Sequence, residues 1–383
     1  MQSKGFKFYI AIPVWGESYV DVFLNTSLPS LMAAGNLPYL CQQAQVVFTV
    51  YTTLEFLPMF QHSNLIKTLQ QKAEVCLEAI CIPCKEHYSA ESSGYNVAMY
   101  EAKTNVYKDN ICKAQLNNDE NNVIISLNAD MVFSNNFLQK CHEVLLQGKK
   151  VVEVVGPRGM ASEISEALHK QYRNIDNVIS ISSRNLLKLW INYIHPMLDI
   201  HLWEGDSKYF NCSHLMWPIG DGPGNGWAAH CFFLYPIVLV LPKHQVDFSS
   251  TIDANLVTGC NYGIEDAFVV TNSEDLFCCE LSASDKFVGA FGKRGDLTDI
   301  VGCYKNFGKK YNFDLLQKKI MLSCDAKKAD LLITTEKSDV VINSIVEHAN
   351  KKITRYISMR HMMLEKFSTW IRSFPLYRYL KRL

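Results

Sequence analysis

Apolar positions in this chain come in short blocks whose spacing changes along its length. Val123, Ile124, Ile125 and Leu127 form a β-branched run too short for a helix, which predicts a strand buried on both faces. FKFYIAIPV (Phe6–Val14), AQVVFTVY (Ala44–Tyr51), LEAICI (Leu77–Ile82) and KVVEVVG (Lys150–Gly156) predict further strands. Between them the period lengthens. Phe23, Leu28 and Leu31 carry a helical pattern, as do Leu65–Leu77, Tyr88–Tyr107, Phe137–Leu146, Ser162–Arg173 and Ser182–Tyr193. Lys113–Asn122 is polar and acidic and reads as a surface loop. Cys231–Leu241 is apolar but holds Pro236, and reads as a buried strand or strand pair. Strands alternating with helices predict an α/β architecture.

Candidate chemistry gathers where these blocks end. The central run continues as LNADMVFSNNF, placing Asp130 just beyond a buried strand. Open α/β sheets bind ligands in the crevice at the carboxyl ends of their strands. A carboxylate there suits a hard divalent cation that clamps a diphosphate, or else caps the following loop. Thr52 and Thr53 end the second strand, where a hydroxyl meets a ribose or phosphate or caps a helix. The stretch from His195 to Asp253 is dense in His, Trp, Gly and Pro, a mixture that suits a metal and a sugar ring. Its GDGPGNG run, Gly220–Gly226, has neither P-loop lysine nor dinucleotide spacing and reads first as a turn joining two strands. The CIPC pair, Cys81 and Cys84, has no second pair to complete a zinc site and reads as two incidental thiols.

Composition narrows the class. The chain has 383 residues, 48% hydrophobic and 20% charged, enough for a large α/β domain with an elaboration. A net charge of zero gives no bulk attraction to nucleic acid. The thirteen cysteines lack a repeating spacing and no leader-like h-region opens the sequence, which together point to reduced thiols and a cytoplasmic protein. No run reaches the ~18 apolar residues of a spanning helix. The segment 351–383 is different. It holds nine Lys and Arg against Glu365 alone, interleaved with aromatics such as Tyr356, Phe367, Trp370 and Phe374. That pattern reads as an amphipathic helix for an anionic membrane surface, peripheral on the inner face; a partner helix is the other reading, and no nucleic-acid motif accompanies the charge.

LNADMVFSNNF resembles the strand and acidic motif of GT-A glycosyltransferases, with the likeness covering roughly residues 6–280. The resemblance implies a mixed, mostly parallel sheet flanked by helices, with residues 1–284 as the catalytic domain, 285–350 as an α-rich extension and 351–383 as the basic tail. It implies a nucleotide-diphospho-sugar donor and a glycan or lipid-linked acceptor. Asp130 would hold Mg²⁺ or Mn²⁺, with Asn128 standing where the family has its first acidic residue. His230, or else His214, would complete the metal site. Pro13, Trp15 and Glu17 would lie on the nucleoside side, with Trp15 stacking on the base; otherwise Trp15 is core and Glu17 a first-turn dipole residue. Asp253 or Asp266 would serve as general base if the transfer inverts. Glu265–Asp266 resembles the family's acidic pair but is followed by the strand-like Ala267–Val270 where the family has a helix. A nucleotidyltransferase shares the architecture but wants a glycine-rich basic loop after the first strand, which PVWGES lacks. A non-catalytic module that binds a nucleotide sugar or tethers a partner at a membrane is the third reading, favoured by Asn128.

Overall fold

The computed structural model describes residues 5–83, 94–116, 121–207, 210–211, 213–220, 222–246, 252–285 and 297–349. Its strands are β1 (Lys7–Pro13), β2 (Gln45–Thr52), β3 (Glu74–Ala79), β4 (Asn122–Ser126), β5 (Met131–Phe133), β6 (Val151–Glu153), β7 (Arg158–Met160), β8 (His214–Pro218), β9 (Trp227–Cys231), β10 (Ile237–Val240), β11 (Ala267–Val269), β12 (Cys278–Ser282) and β13 (Lys319–Leu322). Seven of them form a central sheet in the order β11-β6-β10-β4-β1-β2-β3. All neighbours pair parallel except β10, which runs antiparallel to both β4 and β6. The expected mixed, mostly parallel α/β sheet flanked by helices is therefore present.

Alternation along the strands builds two cores, one per face. Phe8, Ile10 and Ile12 of β1 join Val123 and Ile125 of β4 on one side, where the helix Phe137–Leu146 packs. Tyr9, Ala11 and Ile124 point the other way, onto Val106, Tyr107, Ile111 and Ala114 of the helix Gly94–Leu116. β4 is buried along its whole length, as its β-branched run predicts. Two three-stranded sheets flank the main one, β5-β12-β7 and β13-β9-β8.

Two boundaries differ from the sequence reading. The helix before β4 continues to Leu116, because Lys113 is paired with Glu78 and Asp109 on one face while Ile111 and Ala114 are buried on the other. β3 begins at Glu74, inside the expected helical pattern. It is an edge strand, half-buried along its middle, so its alternation is weak in sequence. The extension beyond Ser284 packs into the rest of the chain. β13 pairs with β9, and Tyr311, Leu315, Ile320 and Leu322 belong to the core under the main sheet. Helices Leu297–Phe307 and Lys310–Leu316 and the helix 328–349 make this region α-rich. No helix among the described residues is long and apolar enough to cross a membrane. The tail 351–383, Cys84 of the CIPC pair and the side chain of Asp253 lie outside the described residues.

Gly220–Gly226 does join two strands, β8 and β9. Gly226 has φ +94°, and a Cβ there would overlap the Leu322 carbonyl of β13. Gly226→Ala is expected to cost roughly 1–3 kcal/mol in urea melts with the fold retained, since both backbone strain and a clash must be relieved. An unchanged midpoint would contradict the close approach of this turn to β13.

Candidate functional site

The chain winds outward from β1 through β2 to β3, then returns to place β4 on the other side of β1. The carboxyl ends of β1 and β4 are therefore the topological switch point where open α/β sheets take ligands. Pro13 and Trp15 stand at one of these ends, and Asn128 and Asp130 at the other. The antiparallel β10 brings Tyr235 to the same edge, bridged to Val155.

The small sheet β5-β12-β7 fixes what Asp130 meets. Leu281 N–H donates to the Asp130 carbonyl at 2.7 Å, and Glu280 lies opposite Met131 on one side and Arg158 on the other. Arg158 Nη2 is 2.6 Å from Glu280 Oε1, and its Nη1 donates to Ser282 Oγ at 3.4 Å. Two carboxylates and a guanidinium thus sit across three adjacent strands. From the other side come two tyrosines. The Tyr107 hydroxyl lies 3.0 Å from the Leu127 carbonyl, 3.2 Å from Asn128 Oδ1 and 3.1 Å from the Tyr235 hydroxyl. Lys103, on the same helix as Tyr107, places Nζ 5.8 Å from the centre of the Tyr235 ring.

The electrostatics follow from burial. Asp130 is only 7% exposed, and loss of water pushes its carboxyl up to about 7. Glu280 acts in the same direction; Lys103, a backbone hydrogen bond and Arg158 oppose it. Burial holds the Tyr235 hydroxyl well above its usual range, so it is a neutral donor. Arg158 also faces the ring pair His201 and His214, whose centroids are 5.1 Å apart. Burial lowers these two to about 4 and about 3, leaving both neutral near pH 7.

The residues do not fit the expected divalent-cation site. Glu280 is committed to Arg158, and Asn128 Oδ1 faces the Tyr107 hydroxyl. Among the described residues, no group of three His, Cys, Asp or Glu is placed to hold a metal ion. His230 corrects the expectation most clearly. It lies on β9, in a different sheet, with Nδ1 2.8 Å from the Leu316 carbonyl and Nε2 3.2 Å from Ser338 Oγ. Both ring nitrogens are engaged, so it is a core histidine that ties β9 to the C-terminal helices.

Asp266 is likewise displaced. Ala267 is level with Val151, then Leu239, then Ile124 across the sheet, so Asp266 sits at the amino edge, opposite Asp130. There it accepts from Gly263 N–H at 3.0 Å and shapes the turn into β11, a strand as the run after it suggests. Asp253 belongs to the helix Ile252–Gly259. Pro13 is buried at the end of β1, Trp15 is half-buried against the core, and Glu17 is exposed in the first turn of the helix Glu17–Val22. Thr52 Oγ1 is buried at the end of β2 with no hydrogen-bond partner. Such an orphan is uncommon, and this one lies at the ligand edge of the sheet.

Sequence reasoning passed over Lys103, Tyr107, Arg158, Tyr235 and Glu280. Glu280 carried the one visible signal, a lone carboxylate among Cys278, Cys279 and Leu281.

No protein-family model matches this chain, and no curated protein matches it in sequence. Among the solved structures that are weakly similar to it are three that are each 11% identical. They are mouse xyloside xylosyltransferase 1 in its apo form (TM-score 0.26, covering 43% of this chain and 59% of that one), S. aureus TarS (0.25, 49% and 34%) and a Bacillus anthracis protein described as a glucose-1-phosphate thymidylyltransferase, in complex with a sucrose (0.21, 41% and 57%). The chain thus spans less than two thirds of each. Superpositions this loose carry no argument about chemistry.

Because the folded state binds the Asp130 proton more tightly than the unfolded chain, this group's contribution to stability is complete below about pH 4 and lost as pH rises through about 7. In urea melts, Asp130→Asn is expected to gain on the wild type by a total of roughly 1–4 kcal/mol between pH 4 and pH 7, then hold a constant gap. A pH-independent gap would contradict the burial of this carboxyl.

Proposed function

We propose that this chain is a glycosyltransferase that takes a nucleotide-diphospho-sugar over the carboxyl ends of β1 and β4. The observation that carries the reading is the charged and hydroxyl-bearing cluster at the switch point: Asp130, Glu280, Arg158 and Lys103 with the Tyr107 and Tyr235 hydroxyls. Such an edge is where nucleotides lie in open α/β sheets. The nucleoside would lie toward Pro13 and Trp15, beside the buried β2 end at Thr52. Preorganised cations and hydroxyl donors would stabilise the negative charge that grows on a departing diphosphate, and stabilisation of that kind usually contributes most to the rate of such a transfer. The tyrosine hydroxyls would orient the donor. Asp253 is the remaining carboxylate proposed as base toward an acceptor hydroxyl. The acceptor is proposed as a glycan or lipid-linked glycan, with the basic segment 351–383 holding the protein peripherally on an anionic, cytoplasmic membrane face.

A second reading, a module that binds a nucleotide sugar without turnover, is favoured by Asn128 in the acidic position and its engagement by Tyr107. Calorimetry with a panel of nucleotide sugars, with and without Mn²⁺, followed by a hydrolysis assay, separates the two. The transferase reading predicts binding and slow hydrolysis by the wild type. Lys103→Met should sharply lower both hydrolysis and transfer while circular dichroism stays native. Full turnover by Lys103→Met contradicts the site, and wild-type binding without hydrolysis or transfer establishes the module. Pyrophosphate release from a nucleoside triphosphate and a sugar phosphate would instead identify a nucleotidyltransferase.

A further inference from the structure

Resting on the donor-site reading above, we propose that this chain holds the donor diphosphate without a divalent cation, with Lys103 and Arg158 supplying the positive charge. The two cations come from separate elements, the helix Gly94–Leu116 and β7, and both act on the Asp130 turn. Arg158 is anchored rather than used up. One guanidinium nitrogen meets Glu280 and another meets Ser282 Oγ, while its side chain is 30% exposed. A guanidinium has five N–H donors in a fixed fork, which leaves donors for phosphate oxygens. Glu280 is a positioning residue. It holds that fork at the edge of the site and cancels part of its charge until an anion of higher charge arrives. Lys103 places its Nζ over the Tyr235 ring, 5.8 Å from its centre, at the same edge.

The alternative charge source is poorly supplied by these residues. A metal at Asp130 finds no group of three acidic, His or Cys ligands among the described residues. Glu280 is already paired with Arg158, and Asn128 Oδ1 faces the Tyr107 hydroxyl, so neither neighbour is free to complete a coordination shell.

The test uses the full chain with inorganic pyrophosphate and a panel of nucleoside diphosphates as probes, titrated in EDTA and in Mg²⁺ or Mn²⁺ at one pH. The expected result is binding in EDTA that changes only a few-fold on adding metal. Lys103→Met, which keeps the apolar stem, should weaken binding about 10- to 100-fold. Arg158→Met combined with Glu280→Gln, which leaves no lone buried charge, should do the same. Thermal melts and circular dichroism check that both variants fold. Binding that requires metal overturns this inference and leaves the donor-site reading standing. Folded variants that bind like wild type overturn it too. No binding under any condition overturns both.

Discussion

A carboxyl group held out of water just beyond a fully buried strand is the constraint around which this site is arranged. β4 is enclosed on both faces, and the chain leaves it by a tight turn into β5, so Asp130 has nowhere wet to go. Burying a lone carboxylate is costly, and the molecule answers with a proton and with neighbouring cations rather than with one dedicated ion pair. Everything else at this edge is consistent with that answer. Arg158 is brought in by β7, Lys103 by the long helix beneath the sheet, and Tyr235 by the segment leading into β10, which runs antiparallel in the central sheet.

The second buried carboxyl shows the same physics used for structure. Glu153, at the end of β6, is 1% exposed and accepts a hydrogen bond from the Tyr311 hydroxyl at 2.5 Å. Burial pushes it to about 7, against the pull of that hydrogen bond. Tyr311 belongs to the C-terminal helices, and His230 reaches the same region through Leu316 and Ser338. Single polar contacts thus fix how the extension docks on the sheet, while Leu315, Ile320 and Leu322 supply the apolar contact.

Much of the scaffold was legible in the sequence because period and burial report on local geometry. The helix Phe137–Leu146 appears with the expected bounds, and the strand run at Val123–Ile125 is as buried as its composition implies. The site was legible only at Asp130 and the neighbouring strand ends. Arg158 and Glu280 meet Asp130 through pairings between segments more than a hundred residues apart, and no local pattern records which strands become neighbours. Asp266 failed as a candidate for a related reason. An acidic pair beside a strand is read the same way whichever end it occupies, and here it precedes β11 instead of following it. A histidine in an apolar strand is equally ambiguous until its partners are seen, and those of His230 are a backbone carbonyl and a serine.

The functional proposal reduces to one location, the edge where β1 and β4 end. A crystal structure of the full chain grown with a tight-binding nucleoside diphosphate addresses it most directly. The account predicts the base near Trp15 and the phosphates within hydrogen-bonding reach of Lys103 and Arg158, beside Asp130. A nucleotide seated at the amino edge of the sheet, or on the β13-β9-β8 sheet, would contradict it.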